Sequence, residues 1–353
     1  MIDMDTHSPL ESTSPRRRLR ARLPLLAVLC ALAGAGAAHA QAPAKPTPPA
    51  AAAKDDSAIV LVGKDGWLFP AWGSLSDVDM QAVDASTRLI AEAKTRLAAR
   101  GVRLELLLLP DKVLFYEDRL PDGKVVSASV EKRYDMQLDS LRKAGVEALD
   151  ARKVLAGVHA AGTDVFYRSD QHWTQAAADA TADALAVRIK QAVPNLAGEP
   201  GSGTPLGKET RERRYGDLAE LFLPPEQRAA VGRETFTVRR VAESQGLLDS
   251  GKAPVHVTGH SMVQPYFGFP QKLSNALDRP VTVNWKAGNV GPWIMLLEYL
   301  ESDDFRTNPP QVLVWQMFEP VYGFGPQAQG QWDNASIMTP QQWTARLNKA
   351  LGQ

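Results

Sequence analysis

Asp170 and His172 stand two residues apart in Tyr167-Arg168-Ser169-Asp170-Gln171-His172-Trp173, and Ser261 follows Val255-His256-Val257-Thr258-Gly259-His260 much later in the chain. A carboxylate, an imidazole and a hydroxyl are the parts of an acyl-transfer triad. The serine attacks an acyl carbonyl, the histidine takes the hydroxyl proton, and the aspartate holds the histidine in the right tautomer. Val255–Gly259 reads as a buried strand, and its glycine permits the tight turn that exposes a serine hydroxyl at the carboxyl edge of a sheet. The pattern is not a Gly-X-Ser-X-Gly elbow, because Val263 stands two residues beyond the serine. An Asp-X-His pair alone also occurs on surface loops, so the pair gains meaning only from the serine.

Other chemistries find less support. His7 and His39 fall in an N-terminal leader, which leaves His159, His172, His256 and His260. These have no cysteine pair and no His-Glu-X-X-His spacing, so no metal site is expected. His256 reads as a core histidine, and His260 either tunes the serine's surroundings or meets substrate. Gly201-Ser202-Gly203 follows no strand and opens no helix, so no nucleotide cofactor is expected. Among eight tryptophans, Trp173 and Trp293 are the best placed to stack on a sugar ring, although core packing is the usual fate of such residues.

The elements that must position the triad alternate between helix and strand. Ile59–Gly63 and Trp67–Phe69 predict a hairpin with Asp65-Gly66 at its tip. Asp79–Arg100 predicts a helix closed by Gly101, and Val102–Pro110 a strand whose continuous leucines suit a sheet covered on both faces. Val130–Ala144 predicts a helix, Val146–Asp150 a short strand, and Thr174 a cap for the helix Gln175–Gln191. Asp170 and His172 thus fall on a loop just before a helix. Arg211–Arg214 reads as a solvated charge run. Gln264–Leu277 predicts a helix that Pro270 kinks or restarts, Val281–Trp285 and Gln311–Trp315 two further core strands, and Trp293–Glu301 and Trp343–Leu351 two more helices. The fold class is therefore α/β with parallel pairing, without an internal repeat or a second domain pattern.

The chain has 353 residues, 44% of them hydrophobic and 23% charged, which suffices for a substantial core. Its 40 basic and 40 acidic residues cancel, leaving no electrostatic footprint for nucleic acid. Arg16–Arg22, the apolar Leu23–Ala37 and Ala38-His39-Ala40 have the layout of a secretory signal peptide over residues 1–40, with an uncleaved signal anchor as the alternative. Residues 41–56 are rich in alanine and proline and read as a tether, so the folded domain is expected over 57–353. Cys30, the single cysteine, lies in the apolar run, so the domain can form no disulfide.

Taken together, Gly63–Phe69, Leu109-Pro110-Asp111-Lys112 with Tyr116–Pro121, Asp170–Trp173, Gly216-Asp217-Leu218, Gly259-His260-Ser261 and Gln311–Gln316 with Phe318-Glu319-Pro320 resemble the alginate O-acetyltransferase family, whose domain is similar to the SGNH hydrolases. The resemblance covers nearly the whole chain after the tether, in family order. It implies an SGNH-hydrolase-like parallel sheet flanked by helices, with the acid-histidine pair preceding the serine, a permuted order relative to ordinary SGNH esterases. It further implies periplasmic transfer of an acetyl group through Ser261, with His172 as base and Asp170 orienting it, onto an exopolysaccharide of alginate or cellulose type. A membrane-bound acyltransferase would be the acetyl donor, and no cofactor is required. Gly288, Asn289, His260, Trp173 and Tyr266 are candidates for oxyanion or substrate contacts. His260 before the serine and Met262 and Val263 after it depart from the family's usual neighbours. The same triad could serve an acetylesterase, and a non-catalytic polysaccharide-binding or scaffold role is the alternative from a different class.

Overall fold

Runs of leucine and valine, too short for helices and too apolar for loops, become strands in the computed structural model, which describes residues 59–239 and 252–353. The signal, the tether and the polar stretch just before the serine strand lie outside the described residues. In chain order the strands are β1 (Val60–Val62), β2 (Leu68–Pro70), β3 (Arg103–Leu109) and β4 (Glu209–Arg214). They continue with β5 (Glu234–Arg239), β6 (Val255–His260), β7 (Val281–Lys286) and β8 (Val312–Phe318).

Four of them form a parallel sheet in the order β3-β8-β6-β7. All seven residues of β8 are buried, as are Leu104–Leu109 of β3. Such two-sided burial is what continuous apolar runs require. The helices Met80–Ala98, Pro292–Leu300 and Pro340–Ala350 pack together beside one part of the sheet, and Ala151–Ala160, Gln175–Ala192 and Phe269–Leu277 form a second group. Trp315 of β8 meets Trp293 and Trp343 of the first group at ring-centroid distances of 5.4 and 6.3 Å. Among the described residues, no helix is long and apolar enough to cross a membrane.

One expected element is corrected and others are refined. Val146–Asp150 makes only a single parallel bridge, Ala148 with Leu106, because Asp150 at once caps the helix Ala151–Ala160. The charge run Arg211–Arg214 does expose Arg211 and Arg213, and it belongs to β4, which pairs with β5 as an antiparallel ribbon. Gln264–Leu277 restarts, as its prolines lead one to expect: a 3-10 turn over Pro265–Phe267 ends at Gly268 (φ 80°), and the α-helix begins again at Phe269 with Pro270 in its first turn. The hairpin β1–β2 forms with Asp65 and Gly66 at positive φ.

Two pieces frame the Asp170 loop. The loop is itself a small hairpin, with Phe166 bridged to Trp173 and the Tyr167 N–H donating to the His172 carbonyl at 3.1 Å. Leu68 of β2 donates to the Arg168 carbonyl at 2.9 Å, and Glu234 of β5 accepts from the Arg168 and Ser169 N–H groups, each at 2.8 Å.

Candidate active site

Ser261 is the first residue beyond β6, in a 3-10 turn over Ser261–Val263. The preceding Gly259 is needed for close packing: a Cβ there would lie 2.7 Å from both Cβ and Oε1 of Gln316 on β8. Gln316 in turn accepts the His260 N–H at 3.0 Å, which fixes the strand end carrying the serine.

The hairpin brings its two side chains to that strand end. His172 Nε2 lies 2.7 Å from Ser261 Oγ, and His172 Nδ1 lies 2.6 Å from Asp170 Oδ1. Asp170 is fully buried, and His172 and Ser261 nearly so, with 5% and 9% of their surface exposed. Phe267 stacks on the imidazole at 4.4 Å and shields it from water. The His172 N–H donates to Asp170 Oδ1 at 2.9 Å and the Asp217 N–H to Asp170 Oδ2 at 2.9 Å.

Electrostatics follow from this arrangement. Burial pushes the Asp170 carboxyl up, but the His172 charge and the hydrogen bonds from His172 and Asp217 hold it well below the usual carboxylate range. Burial would lower the imidazole, but the Asp170 charge and hydrogen bond outweigh it and raise His172 above its ordinary value. Asp217, whose Oδ2 is 3.4 Å from His172 Nδ1, is pushed up to about 6 by burial and then by the Asp170 charge. Such an arrangement gives the serine proton an acceptor and the imidazole N–H an acceptor of its own, which is the chemistry of nucleophile activation.

The remaining candidates are placed differently. Trp173 is fully buried, its Nε1 donating to the Met262 carbonyl at 2.9 Å, so it offers no face to a sugar and instead ties the hairpin to the serine turn. Trp293 is likewise buried. Tyr266 donates to Glu212 Oε2 and accepts from Arg214 Nε, both at 3.1 Å. Gly288 and Asn289 are exposed in the loop after β7, where the Asn289 carbonyl accepts from the Asp333 N–H at 2.9 Å. His260 meets Trp332 edge-on at 6.0 Å and bonds the Val290 backbone, and burial lowers its pKa to about 4. His256 is satisfied by Thr282 Oγ1 at 2.7 Å and Asn284 Oδ1 at 2.8 Å.

Residues without an expected role also build the site. Lys112, fully buried, donates to the carbonyls of Tyr167 (2.6 Å), Leu68 (2.7 Å), Arg168 (2.9 Å) and Asp170 (3.1 Å). Burial lowers its pKa to about 7, against the pull of Glu234, Asp170 and Asp217. Gln171 and Arg214 complete the surroundings, the latter with a guanidinium nitrogen 3.7 Å from Asp170 Oδ2. The sequence signal for Lys112 and Asp217 was their place in Leu-Pro-Asp-Lys and Gly-Asp-Leu, but neither triplet nor quartet states a contact.

Among the described residues, Asp170, His172 and Asp217 are the one group whose ligand atoms lie close enough together for a metal. Every carboxylate oxygen in it already accepts a hydrogen bond: Asp170 as above, and Asp217 from the Gln171 N–H (2.8 Å) and Nε2 (2.6 Å). This donor set is satisfied without a cation.

Residues 60–319 match the family described as SGNH hydrolase-like domain, acetyltransferase AlgX. The chain belongs to the AlgX acetyltransferase family. Within the wider set of relatives, a Pseudomonas fluorescens protein named "Probable alginate O-acetylase AlgJ" is 31% identical over 74% of this chain and 67% of its own length. The O-acetyltransferase domain of Pseudomonas putida AlgJ superposes with a TM-score of 0.67 at 26% identity, over 82% of this chain and 99% of that one. Pseudomonas aeruginosa AlgX shares the fold, with a TM-score of 0.57 at 19% identity, over 73% of this chain and 62% of that one. The SGNH-hydrolase-like fold expected from the motifs is thus the fold found.

Proposed function

We propose that this AlgX-family domain transfers acetyl groups onto hydroxyls of an exopolysaccharide of alginate or cellulose type. The observation that carries the reading is the continuous hydrogen-bonded chain from Ser261 Oγ through His172 to Asp170. In the first half-reaction Ser261 Oγ attacks the acetyl carbonyl while His172 Nε2 takes its proton. The tetrahedral adduct collapses, the bond to the donor's leaving group breaks, and His172 returns the proton to that group, leaving an acetyl-serine. In the second half a sugar hydroxyl gives its proton to His172 and attacks the acetyl carbonyl, and Ser261 recovers its proton as the sugar ester departs.

The Ser261 N–H and the Gly288–Asn289 loop are the proposed oxyanion donors. The relatives' names, which include alginate O-acetylase, support the acceptor class. The N-terminal sequence supports export to the periplasm, by a cleaved signal or as an anchored protein, where a membrane-bound acyltransferase would supply the acetyl group.

Intact mass after brief incubation with an aryl acetate tests the reading. Wild type should gain one acetyl, and Ser261→Ala and His172→Ala should gain none. Acetylated oligosaccharide formed from the adduct marks a transferase; free acetate alone marks an esterase. Absence of any adduct, with polysaccharide binding retained in Ser261→Ala, would replace both by a scaffold role.

A further inference from the structure

Gly216-Asp217-Leu218 is built against the Asp170 hairpin more closely than packing alone requires. A Cβ at Gly216 would lie 2.3 Å from the carbonyl carbon and oxygen of Ser169 and 2.6 Å from the Asp170 nitrogen, so only glycine permits the approach. The approach serves Asp217 twice. Its N–H completes the hydrogen bonding of Asp170, and its own carboxylate, clamped at both oxygens by Gln171, is held 3.4 Å from His172 Nδ1.

We infer that Asp217 is a positioning residue for His172, a second carboxylate that stabilises the imidazolium formed when Ser261 loses its proton. The inference rests on the triad reading above. Other charged groups around the pair are Asp170 on the same hairpin, Arg214 from β4, Lys112 beneath the hairpin, and Glu234 from β5, which holds the Arg168 and Ser169 N–H groups. Asp217 thus adds a negative charge on the Nδ1 side that Arg214 partly offsets. When the imidazole is protonated it faces two carboxylates rather than one, so it is a stronger base than a histidine with a single aspartate.

The sign of the effect follows. Asp217→Asn keeps the backbone donor to Asp170 and an acceptor for the Gln171 N–H but removes the charge. The imidazolium is then less stabilised, and the acid limb of kcat/KM for aryl acetate cleavage moves to lower pH by about one unit. The plateau falls by much less than the ~10⁴ that follows loss of a lone orienting aspartate. Asp170→Asn should retain activity well above that of His172→Ala, because Asp217 can still accept from Nδ1. Adding Asp217→Asn to it should bring activity down to the His172→Ala level.

The experiment is the pH profile of wild type, Asp217→Asn, Asp170→Asn and the double variant, each checked for a cooperative thermal melt. An acid limb of Asp217→Asn that coincides with wild type would overturn the inference. Should that variant not fold, Asp170→Asn decides alone: activity no higher than His172→Ala at every pH overturns the inference equally. Full acetyl uptake by Ser261→Ala would instead overturn the triad reading itself, so the two failures are distinguishable.

Discussion

His172 carries opposing demands that set its pH dependence. Burial disfavours its cation, and Asp170 at 2.6 Å favours it more, so its pKa lies above the ordinary imidazole value. Only the neutral form accepts the serine proton. Acetyl uptake by wild type should therefore rise with pH along a limb whose midpoint lies above ~6.5, the unperturbed imidazole value. Stopped-time acetylation across a buffer series measures this, and a midpoint at or below that value would contradict the electrostatic account. The three residue types of this chain of hydrogen bonds could be read from the sequence because few other combinations of carboxylate, imidazole and hydroxyl stand near a strand end. Asp217 could not be assigned a role in that way. Its partners lie far away in sequence, and nothing in Gly-Asp-Leu tells a helix start from a contact on the histidine. Trp173 was misjudged for a related reason: residue type shows an aromatic face but not what covers it, and here the covering atoms belong to the serine turn.

The Asp170 hairpin is held from outside as well as by its own Phe166–Trp173 bridge. Lys112 supplies four of its neighbouring carbonyls with a single ammonium, and Trp67 and Phe69 lie 5.0 and 5.3 Å from that nitrogen. Lys112→Met keeps the aliphatic volume but takes the ammonium from those carbonyls, of which that of Arg168 keeps the Leu68 N–H, a loss on the order of 3 kcal/mol. Chemical denaturation would measure it, and a loss below ~1 kcal/mol would show that water or a shifted backbone replaces the lysine. Gly216→Ala attacks the same hairpin from the other side. Its new methyl meets backbone, which cannot swing away, so a loss of about 2 kcal/mol is expected, with acetyl uptake falling further than stability because the Asp170–His172 pair moves. Equal melting and unchanged uptake would contradict this. The main strands of the sheet were legible because apolar runs have few alternatives. The ribbon was not: β4 is Glu-Thr-Arg-Glu-Arg-Arg, whose alternate residues are only half-buried, and its apolar side comes from Phe236 and Val238 on β5.

Across the whole molecule, the carboxyl ends of β3 and β8 are joined by one buried cation. Arg133, from the helix Arg133–Lys143, reaches Glu319 Oε1 at 2.9 Å and Asp111 Oδ2 at 2.8 Å, while Glu319 Oε2 accepts the Asp111 N–H at 2.7 Å. Asp111 is followed at once by Lys112, so the turn that anchors the hairpin is itself anchored here. Burial pushes Glu319 up to about 7 even though Arg133 pulls it down. Arg133→Met would remove that pull and leave two buried carboxylates facing each other, a change expected to cost about 3–5 kcal/mol near neutral pH. In such a variant both groups would have folded-state pKa values further above their unfolded ones. The folded state would then bind more protons than the unfolded state as pH rises from about 4 towards and beyond 7, and stability would fall along that range. The penalty relative to wild type should accordingly be smaller at pH 5 than at pH 8. Urea unfolding of both proteins at the two pH values decides it. A penalty independent of pH would mean that the lost packing of the arginine stem, rather than the stranded charges, is what the fold misses.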